Sequence, residues 1–276
     1  MTIKELFSFC SEKLDFSDSP EFEATCIFED ILNIPKSKIF FDDTKVTDEQ
    51  INIIESVVNR RKSGEPLQYI LGEWDFYDMT FNVGEGVLIP RPETEMLVDF
   101  ALEKIKDIES PVIYDLCAGS GCIGLTIANH RKDAKVFLLE KEDDAFKFLQ
   151  SNKEKYNLDN AQIIQGDLFD FDFSQIPQAD IILSNPPYIP ASEIEGLQKE
   201  VHFEPITALD GGIDGLDFYR SIAEKWISKI KNGGYIALEC GEEQSESIIN
   251  LFSGKYSEKQ VIYDFNNIDR IVTFGI

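Results

Sequence analysis

The segment Ser184-Asn185-Pro186-Pro187-Tyr188 sets a carboxamide, two rings of fixed φ and a flat aromatic in consecutive positions. The prolines hold φ at about −65° and push the preceding Asn185 into extended backbone, so the turn is stiff. A planar NH2 group conjugated to a carbonyl or a ring is a poor nucleophile. Both of its hydrogens can nevertheless be held here, one by the Asn185 side-chain oxygen and one by the Pro186 backbone carbonyl. Those acceptors aim the nitrogen lone pair at an electrophilic methyl and stabilise the positive charge that grows as nitrogen is alkylated. Tyr188 offers a face for stacking. No strong base is required, because the cationic product is very acidic and loses its proton afterwards. The competing reading, an ordinary strand-terminating turn, leaves this order of residues unexplained.

A second constellation suits a cofactor. Asp115-Leu116-Cys117-Ala118-Gly119-Ser120-Gly121-Cys122-Ile123-Gly124 follows an apolar run and opens a helical pattern. Glycines at such a turn let the backbone approach a ligand and let the free N–H groups of the helix start face it. Gly119, Gly121 and Gly124 also satisfy the GxGxxG spacing of dinucleotide-binding folds, and a tight turn with no ligand gives the same letters. Glu140 ends the next apolar run, where a carboxylate can accept hydrogen bonds from both ribose hydroxyls. Its plainer reading is a solvated acid beside Glu142, Asp143 and Asp144. Asp167, in Gly166-Asp167-Leu168-Phe169, suits an adenine amino group or, more plainly, a turn cap.

These residues need a sheet edge to hold them. Val112–Leu116, Lys135–Leu139, 162–164, 180–183 and Tyr235–Glu239 are short runs alternating with helical segments, and all but the third are nearly continuous in hydrophobicity. Buried parallel strands have that pattern. Two final runs, 260–265 and 270–274, are joined by four residues only, which demands an antiparallel pair. The expected fold is therefore α/β, a doubly wound, mostly parallel seven-stranded sheet closed by one antiparallel strand, the arrangement associated with class I methyltransferases. Before it, Ile3, Leu6, Cys10 and Leu14, then Ala24, Ile27, Ile31 and Ile34, recur at helical spacing. Ser19 with Pro20, and Thr47 with Gln50, mark helix starts, while Gly64 and Pro66 end the third helix. From Leu67 to Pro92, aromatic and β-branched residues broken by Gly72, Gly84 and Gly86 suggest a short hairpin. The expected organisation is a helical domain over 1–72, a β-hairpin linker over 73–92 and a catalytic domain over 93–276.

Composition narrows the partners. Among 276 residues, 51 are acidic and 26 basic, a formal charge of −25, which works against tracking a phosphate backbone. The densest basic spots, Lys36, Lys38, Arg60, Arg61 and Lys62, are embedded among acids. Five cysteines form no CxxC pair, and only His130 and His202 could join them, so neither a structural zinc site nor a disulfide framework is expected. Residues 1–20 mix Lys4, Glu5, Glu12 and Asp15 among the apolar positions, and no apolar run is long enough for a bilayer. A cytoplasmic protein with reduced thiols is the expectation.

Taken together, Asp115 to Gly121, Glu140, Asp167 and Asn185 to Tyr188 resemble the S-adenosylmethionine-dependent methyltransferases that modify planar amino groups. Val87-Leu88-Ile89-Pro90-Arg91-Pro92-Glu93-Thr94-Glu95, Phe203-Glu204-Pro205 and Ala208–Leu216 narrow the resemblance to the release factor glutamine N5-methyltransferase family (PrmC, once called HemK), and it covers nearly the whole chain. The resemblance implies methylation of the glutamine in the Gly-Gly-Gln loop of peptide chain release factors, with S-adenosyl-L-homocysteine as coproduct. It implies that Cys117, Ala118, Gly119, Ser120 and Gly121 wrap the methionine end of the cofactor, that Glu140 holds the ribose, and that Asp167 and Leu168 border the adenine beside Asn185. Asn185, Pro186, Pro187 and Tyr188 would bind the glutamine, and Asn185, Pro186 and Tyr188 would act on it. Arg91 either anchors the release factor or pairs with a local acid. Cys117 stands where the family usually has glycine, and a side chain there restricts φ. The implied partner is a release factor protein, with no direct nucleic acid and no membrane, for a monomeric enzyme without a metal. The alternative is an adenine N6-methyltransferase, which presents the same amino geometry to Asn185 but needs a basic recognition region.

Overall fold

The computed structural model describes residues 1–40 and 44–276, which form two compact units: Met1–Glu73 with Gln198–Phe203, and Trp74–Leu197 with Glu204–Ile276. The first unit is helical, with α1 (Ile3–Lys13), α2 (Pro20–Cys26), α3 (Lys36–Ile39), α4 (Asp48–Lys62) and α5 (Leu67–Leu71). Reciprocal capping boxes, Thr2 with Glu5 and Thr47 with Gln50, satisfy the free N–H groups that start α1 and α4. Ser19 precedes α2 with Pro20 in its first turn, and its side chain makes no cap bond. The periodic apolar positions Leu6, Cys10, Leu14, Ala24, Ile27 and Ile54 are fully buried. Leu67–Leu71 departs from the hairpin expected from residue 67 onward: it is a helical turn, entered at Pro66 and ended by Gly72 in the left-handed conformation. Arg61 is buried against Glu23 through Nε and Nη2 at 2.8 and 2.9 Å, and Arg60 pairs with Glu65, so these two cations of the basic cluster are already neutralised.

The second unit opens with a two-stranded sheet, β1 (Glu73–Phe76) and β2 (Met79–Asn82), followed by α6 (Glu95–Ile105). Its main sheet contains β3 (Val112–Leu116), β4 (Lys135–Glu140), β5 (Ala161–Gln165), β6 (Ala179–Ser184), β7 (Ile230–Glu239), β8 (Glu258–Tyr263) and β9 (Asp269–Gly275), in the order β5-β4-β3-β6-β7-β9-β8. β3 to β7 pair in parallel, and β9 runs antiparallel to both β7 and β8. Every residue of β3 and β6 is buried, as expected of strands covered on both faces. One face packs α6, α7 (Cys122–His130) and α8 (Asp143–Tyr156), through Leu97, Val98, Ala101, Leu125, Ile127 and Leu149. The other packs α9 (Asp217–Glu224) and α10 (Ser245–Leu251), through Tyr219, Ile222 and Ile248, together with Trp226 and Phe252 just beyond their ends.

Register positions the site. Leu116 pairs with Leu139 on one side and Ser184 on the other, so β3, β4 and β6 end side by side. Strand order reverses at β3, and open α/β sheets bind ligands beyond the carboxyl ends of strands at such a switch. Glu140 is the last residue of β4, and the loops leaving β3 and β6 carry the glycine segment and Asn185. No helix among the described residues is long and apolar enough to cross a membrane.

Candidate active site

The strand ends surround a cavity of about 290 Å³ lined by Leu88, Arg91, Thr94, Cys117, Ala118, Gly119, Ser120, Glu140, Asp167, Leu168, Asn185 and Pro187, with Phe169, Pro205, Ile206 and Phe218 among its other walls. Ten of the residues singled out from sequence therefore share one space. Gly121, Pro186 and Tyr188 lie outside its lining. Gly121 starts α7 at a left-handed φ of 83°, and Tyr188, half-buried, offers its carbonyl to Gln244 Nε2 at 2.8 Å and packs on the α9 side of the sheet.

The glycine loop is held in place from several directions. Gly119 N–H donates to Glu140 Oε2 at 2.7 Å, Gly124 N–H donates to Asp115 Oδ2 at 2.8 Å, and the Ser120 carbonyl accepts from fully buried Asn152 on α8 at 2.9 Å. A Cβ on Gly124 would stand 2.6 Å from Leu138 Cδ2 and 2.9 Å from Asp115 Oδ2, so only glycine lets the helix approach the strand this closely. Cys117 takes φ 59°, so the loop keeps a left-handed residue at its first position and accommodates a Cβ there. For a non-glycine residue that conformation costs roughly 1–2 kcal/mol. Burial pushes the Cys117 thiol well up, with the Glu140 charge adding to it, so the group is a neutral wall atom and no nucleophile.

The carboxylates differ in environment. Glu140 Oε1 accepts from the N–H groups of Lys141 and Glu142, both at 2.8 Å, and with the Gly119 bond this fixes the carboxylate from its backbone side. Burial raises its pKa, and the three N–H groups oppose that shift. Asp167 does cap a turn, accepting from Phe169 N–H at 2.9 Å, and it also pairs with Lys141 at 3.1 Å. Burial would raise its pKa, but the Phe169 N–H and Lys141 outweigh burial and hold the carboxyl below its ordinary value. Both roles coexist, because an ionised carboxylate has about four acceptor sites. Asp115 is fully buried, its Oδ1 has no hydrogen-bond partner, and burial, reinforced by the Glu140 charge against the Gly124 N–H, raises its pKa to about 7.

Arg91 pairs with buried Glu204, which also accepts from Ile89 N–H at 3.1 Å, so the arginine is tied to a local acid while its segment lines the cavity. Asn185 leaves β6 just after Ser184, whose hydroxyl donates to the Leu116 carbonyl at 2.7 Å and locks the two loop roots together. The Asn185 side-chain NH2 donates to Thr94 Oγ1 at 3.1 Å, and Thr94 in turn donates to Glu239 Oε2 at 2.6 Å. Thr94 and Glu239 lie far apart in sequence and carry no local motif for this contact, so sequence reasoning missed both.

The site fits a nucleoside-type sulfonium donor. It offers an oriented carboxylate for hydroxyl groups and apolar walls at Leu139, Leu168 and Phe218 for a flat ring. Among the described residues no His, Cys, Asp or Glu cluster could hold a metal, and all five cysteines are free thiols.

Comparison with known proteins adds names to this geometry. The model of the PrmC N-terminal domain matches residues 5–72, and that of the methyltransferase small domain matches residues 94–200. The release factor glutamine methyltransferase of Thermodesulfovibrio yellowstonii is 41% identical over 91% of this chain and 90% of its own length. That of Escherichia coli is 33% identical over 95% of this chain and 94% of its own. Among solved structures, the T. thermophilus 16S rRNA N2 G1207 methyltransferase, in complex with AdoMet and guanosine, aligns with TM-score 0.54 at 19% identity over 74% of this chain and 49% of that one, a likeness of fold alone.

Proposed function

The chain belongs to the release factor glutamine methyltransferase family, and from that premise we propose how its residues transfer a methyl group from S-adenosylmethionine to the side-chain nitrogen of the glutamine in the Gly-Gly-Gln loop of a peptide chain release factor. S-adenosylmethionine supplies a methyl on a positively charged sulfur and leaves as S-adenosylhomocysteine. In the chain itself, residues 1–72 recognise the protein substrate, 73–92 form the linker and 93–276 carry the chemistry. Glu140 holds the ribose, Asp167 and Leu168 border the base, and Cys117 to Gly121 with Asn185 shape the remaining wall. Asn185 Oδ1 and the Pro186 carbonyl hold the two amide hydrogens, Tyr188 and Pro187 flank the carboxamide plane, and Arg91 orders the segment that frames them.

The single observation that carries this reading is the convergence of Asn185 and Glu140 on one cavity at the carboxyl ends of β6 and β4. Acceptors fixed before reaction stabilise the charge developing on nitrogen without having to reorganise. Neutralisation of Arg60 and Arg61 within the helical unit disfavours the adenine N6-methyltransferase alternative, since a nucleic-acid surface needs free cations. The enzyme then acts as a cytoplasmic monomer on a protein, with no direct contact to nucleic acid. The test is incubation with labelled S-adenosylmethionine and purified release factor, followed by peptide mass mapping. Label on the Gly-Gly-Gln glutamine is expected. Asn185→Ala, folded, should lower the rate about a hundredfold or more, and a near-normal rate in that variant would remove Asn185 from its assigned role.

A further inference from the structure

A carboxamide has one accepting and one donating end of almost the same shape, and the proposed role of Asn185 requires the accepting end to meet the substrate. Turned over, Asn185 would set its own NH2 against the glutamine NH2, donor to donor. The turn of two prolines fixes the Asn185 backbone but does not choose between these rotations.

Two side chains from separate segments make that choice. Thr94, in the 3-10 turn ahead of α6, is 1% exposed, and Glu239, at the end of β7, is 3% exposed, so solvent has little access to redirect their hydrogen bonds. A hydroxyl has a single hydrogen, and a carboxylate can only accept. At 2.6 Å from Glu239 Oε2, Thr94 spends that hydrogen on the acid and keeps only lone pairs for Asn185, 3.1 Å away. Only the NH2 end of Asn185 can therefore face Thr94, which turns Oδ1 to the opposite side of the carboxamide. We propose that Glu239 and Thr94 form a polarity relay that fixes Asn185 with its oxygen toward the target amide, a reading that rests on the role given to Asn185 above. Both are positioning residues, acting through Asn185 and not on the substrate.

Other groups facing Glu239 hold the relay in place. Tyr219 donates its hydroxyl to the Glu239 backbone carbonyl at 2.7 Å and fixes the strand end. Burial and Glu93 from the Thr94 turn push the Glu239 pKa up to about 7, while the Thr94 hydroxyl, Arg270 of β9 and Arg91 favour the ionised form, the form in which the acid only accepts and the relay operates.

The test compares wild type with Thr94→Val, Thr94→Ser and Glu239→Gln. Valine keeps the shape and removes the hydroxyl, serine restores the hydroxyl, and glutamine supplies a donor where the carboxylate only accepts. In 15N-labelled protein without substrate, the Asn185 side-chain NH2 is identified by its loss in Asn185→Asp. Its hydrogen exchange should quicken about tenfold in Thr94→Val and return in Thr94→Ser, as expected when a hydrogen bond of ordinary strength is lost and remade. With labelled S-adenosylmethionine and release factor, Thr94→Val and Glu239→Gln should lose about tenfold in kcat. KM and cofactor Kd should stay within about twofold, and Thr94→Ser should recover most of the rate. Melting curves establish that each variant is folded, and the exchange measurement decides for any variant too inactive to assay. Unchanged Asn185 exchange in Thr94→Val, or wild-type kcat in both Thr94→Val and Glu239→Gln, overturns the relay. Failure of the wild type to label the glutamine overturns the functional reading instead and leaves the exchange result to decide whether Thr94 holds Asn185.

Discussion

Replacing Glu140 by alanine separates cofactor binding from chemistry. In the folded protein the carboxylate takes three backbone N–H bonds, from Gly119 at 2.7 Å and from Lys141 and Glu142 at 2.8 Å each. These take three of its roughly four acceptor sites and leave about one for a ribose hydroxyl. A hydrogen bond to a charged group contributes about 1.5–3 kcal/mol, so losing one costs roughly ten- to a hundredfold in Kd. Glu140→Gln should be no rescue, since one orientation sets an NH2 against the Gly119 N–H and the other against two N–H groups at once. Calorimetric titration with S-adenosylmethionine and with S-adenosylhomocysteine should show both variants weakened, with near-normal kcat at saturating cofactor. A Kd within twofold of wild type in a folded Glu140→Ala protein would refute the ribose assignment.

Gly124→Ala forces a Cβ to within 2.6 Å of Leu138 and 2.9 Å of Asp115, and thermal unfolding should show a loss of about 1–3 kcal/mol; an unchanged melting temperature would contradict the close approach. Asp115 has its folded pKa raised to about 7, far above the roughly 3.9 of an unfolded aspartate, so the folded state holds a proton that the unfolded chain has released. Stability should therefore be highest at mildly acidic pH and decline as pH rises toward 7, Glu239 adding in the same sense. In Asp115→Asn that decline should shrink, as read from denaturant midpoints at several pH values, and an identical slope would argue against a buried titrating acid. Thr47→Ala removes the α4 capping box and should cost about 1 kcal/mol by denaturant unfolding, a loss absent if the box is made only by Gln50.

Strands were the most legible part of the chain, because burial on both faces leaves a continuous apolar run, as in Val112–Leu116. β7 begins earlier than its apolar run, at Ile230, because the polar stretch Lys231-Asn232-Gly233-Gly234 interrupts the hydrophobic signal at an irregular register with β6. Leu67–Leu71 carries the residue types of a strand but closes as a single helical turn between Pro66 and Gly72, where flanking residues override propensity. Within the site, Glu140, Asp167 and Asn185 were legible because Glu140 ends a strand and the other two follow one within two residues. The contact from Asn185 through Thr94 to Glu239 was not, since tertiary packing joins residues that no periodicity links.

The short stretch Gln198–Phe203 clusters with the amino-terminal helices although it is encoded beyond the asparagine turn. A ribosome that has released residues 1–73 has therefore not yet made all of the helical unit, whose last piece emerges only after four of the seven main-sheet strands, β3 to β6, have been made. Synthesis order and assembly order must part company here: the amino-terminal helices wait, incomplete, for a segment delivered midway through translation of the sheet. A version cut after residue 73 would be a fragment with an uncovered seam, and separate production of the two bodies calls for grafting that later hexapeptide back onto the first.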